Sequence, residues 1–145
     1  MKVIILGSGR VGSAIGRALV AAQHDVAVID SDPDSLIRLG GDDFDGDFYV
    51  GEALDPAVLG RAGIKEADAF IASTDDDNTN AVVAQIAQRR YHVGSVVVRI
   101  FDPEKAAFYE QRGLKVICPT IRAISEMIAA VDSAPVPFLA EQELN

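Results

Sequence analysis

The sequence predicts a single α/β domain built on a doubly wound, six-stranded parallel sheet, and three observations lead to this fold class. Short apolar runs of strand length alternate along the chain with helical patterns, which is typical of parallel strands joined by right-handed crossovers. The first run, Lys2–Leu6, leads directly into a glycine-rich turn at Gly7–Gly12. The chain has 145 residues, of which 49% are hydrophobic, and this is enough for one core.

The first strand and its turn predict a phosphate-binding site. The residues Val3–Leu6 are all apolar, so neither face of the strand is suited to solvent. The strand therefore belongs at the centre of the sheet. In the G-x-G-x-x-G pattern, Gly7 permits the bend, Gly9 admits a pyrophosphate and Gly12 lets the following helix pack closely. The free N–H groups at the start of that helix attract an anion. The residues predicted to bind here are Gly7, Ser8, Gly9, Arg10, Val11 and Gly12.

The remaining elements follow in order. The second strand, Asp25–Asp30, ends on an acid, and Asp32 with Pro33 predicts the start of a short helix that ends at Gly40–Gly41. Later strands are predicted at 48–50, 67–72, 96–100 and 114–118, and later helices at 56–61, 78–91, 103–112 and 119–131, with Asp55 and Asp102 as N-caps. Six strands with their intervening helices fill a Rossmann-like fold with strand order 3-2-1-4-5-6.

The domain is predicted to span 1–131. The tail at 132–145 contains Pro135 and Pro137 and reads as a linker or as the truncated start of a C-terminal region.

Composition excludes several classes of partner and site. The formal charge of −9 argues against nucleic acid or anionic lipid as direct partners. The lone Cys118, predicted inside the sixth strand as inert core, and the absence of a visible signal peptide indicate the cytoplasm. The acidic run Asp42–Asp47 could hold a metal, but it lacks the EF-hand spacing and is better explained as a solvated loop. No metal site is predicted.

Ligands of this fold lie across the carboxyl ends of the strands, so the loops there supply the other candidates. Asp30 should accept hydrogen bonds from ribose hydroxyls, although it could also be a helix-capping acid. A 2′-phosphate would be repelled by Asp30, and Ser31 offers no arginine to neutralise it, so NADP is disfavoured. The further candidates for binding a nucleotide are Asp30, Ser31, Asp32, Gly51, Glu52, Ala53, Ser73, Thr74, Asp75, Asn78 and Arg99.

For two arginines the sequence leaves the binding partner open between a ligand phosphate and an acidic side chain. Arg10, inside the glycine turn, could fold over a di- or triphosphate or pair with a nearby acid. Arg99 is a charge inside a buried strand and needs a partner, which could be a ligand phosphate or an acid such as Asp75.

Catalytic groups are hard to find. His24 and His92 fall in predicted connecting turns, no tyrosine has a lysine four positions later, and there is no G-x-x-x-x-G-K-[ST] loop. The sequence therefore predicts no catalytic residue, and the chain is expected not to be an enzyme.

The combination of motifs resembles the RCK (KTN, TrkA-N) domain, the regulatory nucleotide-binding module of Trk and Ktr potassium-uptake systems and of potassium channels. The resemblance covers about residues 1–131 and rests on Gly7–Gly12, Ile29–Asp32, Ala62–Ile64 with Ala67–Ala69, Ser73–Asn78, Val98–Ile100 and Cys118–Thr120.

The resemblance implies a cytoplasmic sensor at the inner face of the plasma membrane that binds ATP, ADP or NAD(H) and gates a membrane potassium-transport subunit. Such domains assemble as dimers, often into rings. By this resemblance Arg10 contacts phosphates, Asp30 and Asp32 hold the ribose, and Glu52–Ala53 lie by the adenine. Thr74 and Arg99 would line the cleft, and the last helix, from about Thr120, would cross to a dimer partner.

Two departures from the family pattern stand out. The usual Gly-Asp-Ala-Thr-Asp segment is Gly51-Glu52-Ala53-Leu54-Asp55 here. The companion C-terminal domain is missing from this sequence, so we expect either a fragment of a longer chain or a stand-alone module whose partner supplies the rest. Two other functions stay open from the sequence: a small NAD-dependent oxidoreductase, and a nucleotide- or redox-sensing module of another system.

Overall fold

The computed structural model describes residues 1–132, and the predicted linker beyond Asp132 lies outside the described residues. Six strands form one parallel sheet: β1 Lys2–Leu6, β2 Asp25–Asp30, β3 Asp47–Val50, β4 Ala69–Ala72, β5 Ser95–Arg99 and β6 Lys115–Ile117. Five α-helices accompany them: α1 Arg10–Ala21, α2 Pro56–Ala62, α3 Asp77–Arg89, α4 Pro103–Glu110 and α5 Pro119–Val131. Short 3₁₀ helices span Pro33–Leu39, Gly41–Asp43 and Ile64–Glu66.

The predicted strand order is confirmed. The sheet runs β3-β2-β1-β4-β5-β6, and β1 lies at its centre, where Ile4 is paired with Ala27 of β2 on one side and with Phe70 of β4 on the other. The chain order reverses at β1. The carboxyl ends of β1, β2 and β4 therefore surround the crevice in which this fold binds ligands.

The two faces of the sheet carry separate parts of the core. Val3, Ile5 and Val28 pack on one face beneath α1 and the 3₁₀ helix Pro33–Leu39. The opposite face carries the larger cluster, in which Ile4, Leu6 and Phe70 meet apolar residues of α2, α3 and α4. Because both faces of β1 are covered, its uninterrupted apolar sequence is required by the fold.

Aspartates begin four of the helices. The predicted N-caps are confirmed: Asp32, Asp55 and Asp102 each accept a hydrogen bond from a backbone N–H in the first turn that follows. Asp76 caps α3 in the same way, so this helix begins one residue earlier than predicted.

The position predicted for Cys118 was wrong. β6 ends at Ile117, and Cys118 is the extended residue immediately before α5, which has Pro119 at its first position. Proline favours an extended residue before it and has no N–H for a strand ladder, so the strand gives way to the helix here. Cys118 is nevertheless buried.

Helix α5 has no buried residue along its length. Ile124, Met127 and Val131 expose 43%, 69% and 92% of their surface, and they recur at helical spacing, so one side of α5 is an apolar surface that no other element within residues 1–132 covers. No helix within residues 1–132 combines the length and apolarity that a membrane crossing requires.

Candidate nucleotide-binding site

A cavity of about 460 Å³ opens at the carboxyl ends of β1, β2, β3 and β4. It brings together eleven of the predicted binding residues, which are Gly7, Gly9, Asp30, Ser31, Asp32, Gly51, Glu52, Ala53, Ser73, Thr74 and Asp75. The remaining lining residues are Asp76, which ends the predicted binding loop 73–76, and Leu6, Ile29, Arg38 and Thr79, which were not predicted to bind. The sequence-predicted loops thus meet at one site, as the switch point of the sheet requires.

The three glycines of the turn meet different constraints. Gly7 has φ +94°, a left-handed conformation that favours glycine. A side chain at Gly12 would begin 1.8 Å from the Gly7 carbonyl oxygen, so α1 starts directly against the end of β1. A Cβ at Gly9 would meet nothing within 4 Å. Gly9 therefore leaves open space at the N-terminus of α1, where unpaired N–H groups favour an anion.

Asp30 is anchored to the glycine turn. One carboxylate oxygen accepts a hydrogen bond from the Ser8 N–H at 2.8 Å and lies 3.2 Å from the Ser8 hydroxyl, and the other accepts from the Asp32 N–H at 2.8 Å. The 3₁₀ helix that follows is capped by Asp32, whose carboxylate accepts from the Asp34 N–H. Asp30 is therefore not the N-cap. Its carboxylate is held at the cavity wall by the turn that is predicted to bind phosphate.

Asn80 fixes the loop after β4 from beneath. This buried side chain accepts hydrogen bonds from the Thr74 N–H at 3.0 Å and the Thr74 hydroxyl at 2.6 Å. Its amide donates to the carbonyls of Thr74 and Arg99, each at 2.9 Å. Every hydrogen-bonding atom of the amide is thus used inside the protein, which makes Asn80 a structural support for the cavity wall.

Arg99 does not line the cavity, and its guanidinium binds the loop after β4. It donates hydrogen bonds to the carbonyls of Ser73 at 2.7 Å and Thr74 at 3.0 Å, and its guanidinium lies 3.5 Å from the Asp75 carboxylate. Its side chain is only 14% exposed, and it also lies over the ring of Phe101. The partner that a charge in a buried strand needs is thus present in the protein.

Five other predicted residues stand outside the cavity lining. Ser8 and Gly12 lie within the glycine turn, Ser8 fully buried and Gly12 beneath it. Arg10 and Val11 are exposed in the first turn of α1, and within residues 1–132 no ion pair involves Arg10. Asn78 is exposed on α3, where its side chain accepts a hydrogen bond from Lys105.

The most informative residue that the sequence analysis missed is Arg38. It lies in the 3₁₀ helix after β2 and donates a hydrogen bond to the Ser8 carbonyl at 3.5 Å. A 3₁₀ helix has three residues per turn, so residues 35 and 38 project from the same side. Ser35 accepts a hydrogen bond from Ser8. The spacing could have indicated Arg38, had the helix been recognised as 3₁₀ and not α.

One family model matches most of the chain, and this match shows the family. The family model described as the TrkA-N domain matches residues 3–119. This chain belongs to the TrkA-N domain family. The matched residues contain the cavity and the sheet, from Val3 in β1 to the end of β6.

Relatives of this TrkA-N domain are named Trk system potassium uptake protein TrkA. The one from Streptomyces coelicolor is 43% identical over 124 residues, which are 86% of this chain and 53% of that protein. The one from Mycobacterium tuberculosis H37Rv is 31% identical over 129 residues, 88% of this chain and 58% of that protein. The chain thus spans little more than half the length of these relatives.

Solved structures share the fold. The TrkA-N domain of the inner membrane protein YbaL from Escherichia coli superposes with a TM-score of 0.79 at 18% identity and covers 90% of this chain and 96% of that one. GsuK bound to ADP gives 0.74 at 21% identity, with 91% and 34% covered. The GsuK channel bound to NAD gives 0.71 at 18% identity, with 88% and 23% covered.

The contact between Gly12 and Gly7 predicts effects of very different size for two alanine substitutions in one turn. Gly12→Ala should lower the free energy of unfolding by more than about 3 kcal/mol, because the added Cβ overlaps a backbone carbonyl that cannot move aside. Gly9→Ala, which meets open space, should change it by less than about 1 kcal/mol. Thermal unfolding followed by circular dichroism measures both. Equal midpoints for the two variants would contradict the close start of α1 on β1.

The hydrogen bonds of Asp76, at the rim of the cavity, predict that its contribution to the stability of the fold depends on pH. Hydrogen bonds from the hydroxyl and then the N–H of Thr79 lower the pKa of the Asp76 carboxyl below its ordinary 3.8. These bonds therefore stabilise the fold above the unfolded pKa, and their contribution is lost as the pH falls through the lower native value. Thr79→Val should raise the pKa of Asp76, and Thr79→Ser should keep it low. An NMR titration of the side-chain carboxyl tests this; an unchanged pKa in Thr79→Val would be the contrary result.

Proposed function

We propose that this TrkA-N domain is the nucleotide-sensing part of a regulatory subunit of a potassium-transport system, and that it is not an enzyme. The observation that carries the proposal is the joining, in one cavity, of the open glycine turn at Gly9 with the anchored carboxylate of Asp30. An anion site beside a fixed acceptor suits a nucleotide, whose phosphate and ribose need these two groups at adjacent positions.

The size of the cavity supports a ligand of nucleotide dimensions. Its volume of about 460 Å³ lies within the range of roughly 300–1,000 Å³ found for small-molecule sites. We assign the phosphates to Gly7–Gly12 with Arg10, the ribose to Asp30 and Asp32, and the adenine to Gly51–Ala53. Thr74 would close the opposite wall, and Arg99 would act by positioning that wall.

The identity of the ligand is proposed as ATP, ADP or NAD(H). GsuK, which has the same fold, is described as bound to ADP and as bound to NAD. NADP is expected to bind more weakly than NAD, because its 2′-phosphate would approach the carboxylate of Asp30.

The partner is proposed as a membrane potassium-transport subunit, with this domain at the cytoplasmic face of the membrane. The relatives that the chain matches are named as potassium-uptake proteins. The domain boundary at residue 131 belongs to the same proposal: the chain beyond it would continue toward a further region.

The domain is also proposed to form a dimer through α5. The apolar side of this helix, at Ile124, Met127 and Val131, lies exposed and would be buried by a second copy. Ring assembly would follow from further contacts between such dimers.

The nucleotide assignment is tested by thermal unfolding with ATP, ADP, AMP, NAD and NADH in parallel. A ligand at about 100 times its dissociation constant adds roughly 2.7 kcal/mol, which moves the midpoint by several degrees. Asp30→Ala should weaken binding of every adenosine ligand by about tenfold or more, because a hydrogen bond to a charged group contributes about 1.5–3 kcal/mol.

Two controls accompany this experiment. Asp42→Ala removes an exposed acid outside the cavity and should leave all affinities unchanged, while Asp30→Asn keeps the shape of the side chain if the alanine variant is unstable. The assignment would be overturned by a wild-type midpoint that no nucleotide shifts. Transfer of hydride from NADH to a small carbonyl compound would instead support the oxidoreductase.

The dimer is tested by light scattering on variants of α5. Met127→Asp places a charge in the apolar surface and should halve the mass, since a buried unpaired charge is costly. Arg122→Asp introduces the same side chain at an exposed position on the other side of α5 and should leave the mass unchanged. A wild-type chain with the mass of a monomer would refute the dimer.

A further inference from the structure

Arg38 stands out among the residues that line the cavity because of its charge. Among the described residues it is the only cation of the lining, whose acids are Asp30, Asp32, Glu52, Asp75 and Asp76. A cavity with this excess of carboxylates repels an anionic ligand, so the position of its one positive charge affects where negative groups of the ligand can lie.

Arg38 and Asp30 are held at opposite ends of the Ser8 backbone. The Ser8 N–H donates to the Asp30 carboxylate at 2.8 Å, and the Ser8 carbonyl accepts from the Arg38 guanidinium at 3.5 Å. Ser8 is fully buried, and its hydroxyl donates to Ser35 at 2.6 Å. The glycine turn thus holds the carboxylate, and the exposed side chain of Arg38 reaches the same residue of the turn from the 3₁₀ helix.

Most of the hydrogen-bonding capacity of Arg38 is unused. A guanidinium carries five N–H donors, and within residues 1–132 Arg38 makes one hydrogen bond, at 3.5 Å. Neither ion pair found within residues 1–132 includes it. Its charge and its planar fork are therefore available to a ligand.

The carboxylate of Asp30, in contrast, is largely compensated. Two N–H groups, those of Ser8 and Asp32, donate to its two oxygens, and the Ser8 hydroxyl, whose proton is donated to Ser35, lies 3.2 Å from one of them. Hydrogen bonds to a charged group stabilise it and reduce its repulsion of a neighbouring anion.

We propose that Arg38 lies beside the ribose 2′ position of the bound nucleotide and sets how well a 2′-phosphate is tolerated there; this rests on the proposed nucleotide site. In Rossmann-like folds the acid at the end of the second strand binds the ribose 2′-hydroxyl, and a nearby arginine accommodates a 2′-phosphate. The guanidinium can bind such a phosphate through two parallel hydrogen bonds. Discrimination against the 2′-phosphate is therefore partial, because Arg38 opposes the repulsion by Asp30.

A structural role for Arg38 makes a different prediction. If the arginine served only to hold the Ser8 carbonyl, its removal would loosen the glycine turn and weaken all nucleotides by the same factor. The ratio of two affinities separates these roles, because a general loss cancels in the ratio.

The test is isothermal titration with 5′-AMP and adenosine 2′,5′-bisphosphate, two probes that differ only by the 2′-phosphate. Wild-type protein should bind the bisphosphate within about tenfold of 5′-AMP. Arg38→Ala should worsen the ratio by a further tenfold or more, since an ionic hydrogen bond contributes at least about that factor. Arg38→Lys, which keeps the charge and loses the fork, should lie between them. Arg61→Ala, an exposed arginine of α2 outside the cavity, should leave the ratio unchanged.

Each outcome decides the proposal. A larger loss for the bisphosphate than for 5′-AMP in Arg38→Ala supports it. An unchanged ratio, whether or not both affinities fall, overturns it and leaves Arg38 as a support of the turn. Wild-type protein that binds 5′-AMP but not the bisphosphate also overturns it. Binding of neither probe by folded wild-type protein refutes the nucleotide site itself.

Discussion

The carbonyl of Gly7 occupies the place where a side chain at residue 12 would begin, and much of the site depends on this contact. Because Gly12 has no Cβ, the first turn of α1 lies directly on the end of β1, with its free N–H groups facing the crevice between β1 and the strands beside it. The same approach sets Ser8 inside the protein, where its backbone can hold Asp30 on one side and meet Arg38 on the other.

The walls of the cavity are organised by side chains that bind backbone groups. Asp30 holds the glycine turn, Asn80 holds the loop after β4, and Arg99 binds two carbonyls of that same loop. Each loop is thereby fixed before any ligand arrives, so less conformational entropy is lost on binding. The side chains that fix the loops are buried or partly buried, while the groups that face the cavity belong mainly to the loops themselves. Asn80 and Arg99 therefore act as supports, while Asp30 both holds the turn and lines the cavity.

Charge shapes the site as strongly as packing does. The cavity gathers five carboxylates and one guanidinium, in a chain whose formal charge is −9. The proposed phosphate-bearing ligand would be attracted by the helix N-terminus, by Arg38 and by Arg10 in the first turn of α1, and it would be repelled by the acids. In the proposed sensor this opposition would limit affinity, while the hydrogen-bond geometry would preserve selectivity.

The fold class, the strand order and most of the helix caps could be predicted from the sequence alone. They follow from local signals, which are uninterrupted apolar runs, glycines at positions where a turn requires them, and aspartates immediately before helices. It also named eleven of the residues that line the cavity, since loops at the carboxyl ends of parallel strands must meet. The hydrogen-bond partners of Arg38 and Arg99, in contrast, became known only from the tertiary structure. The guanidinium of Arg99 is turned toward the carbonyls of Ser73 and Thr74, while Arg38, on a helix whose pitch the sequence did not reveal, reaches the glycine turn. The partners of a long, flexible side chain depend on which groups the tertiary packing brings within its reach. The spacing of residues in the sequence does not specify those groups.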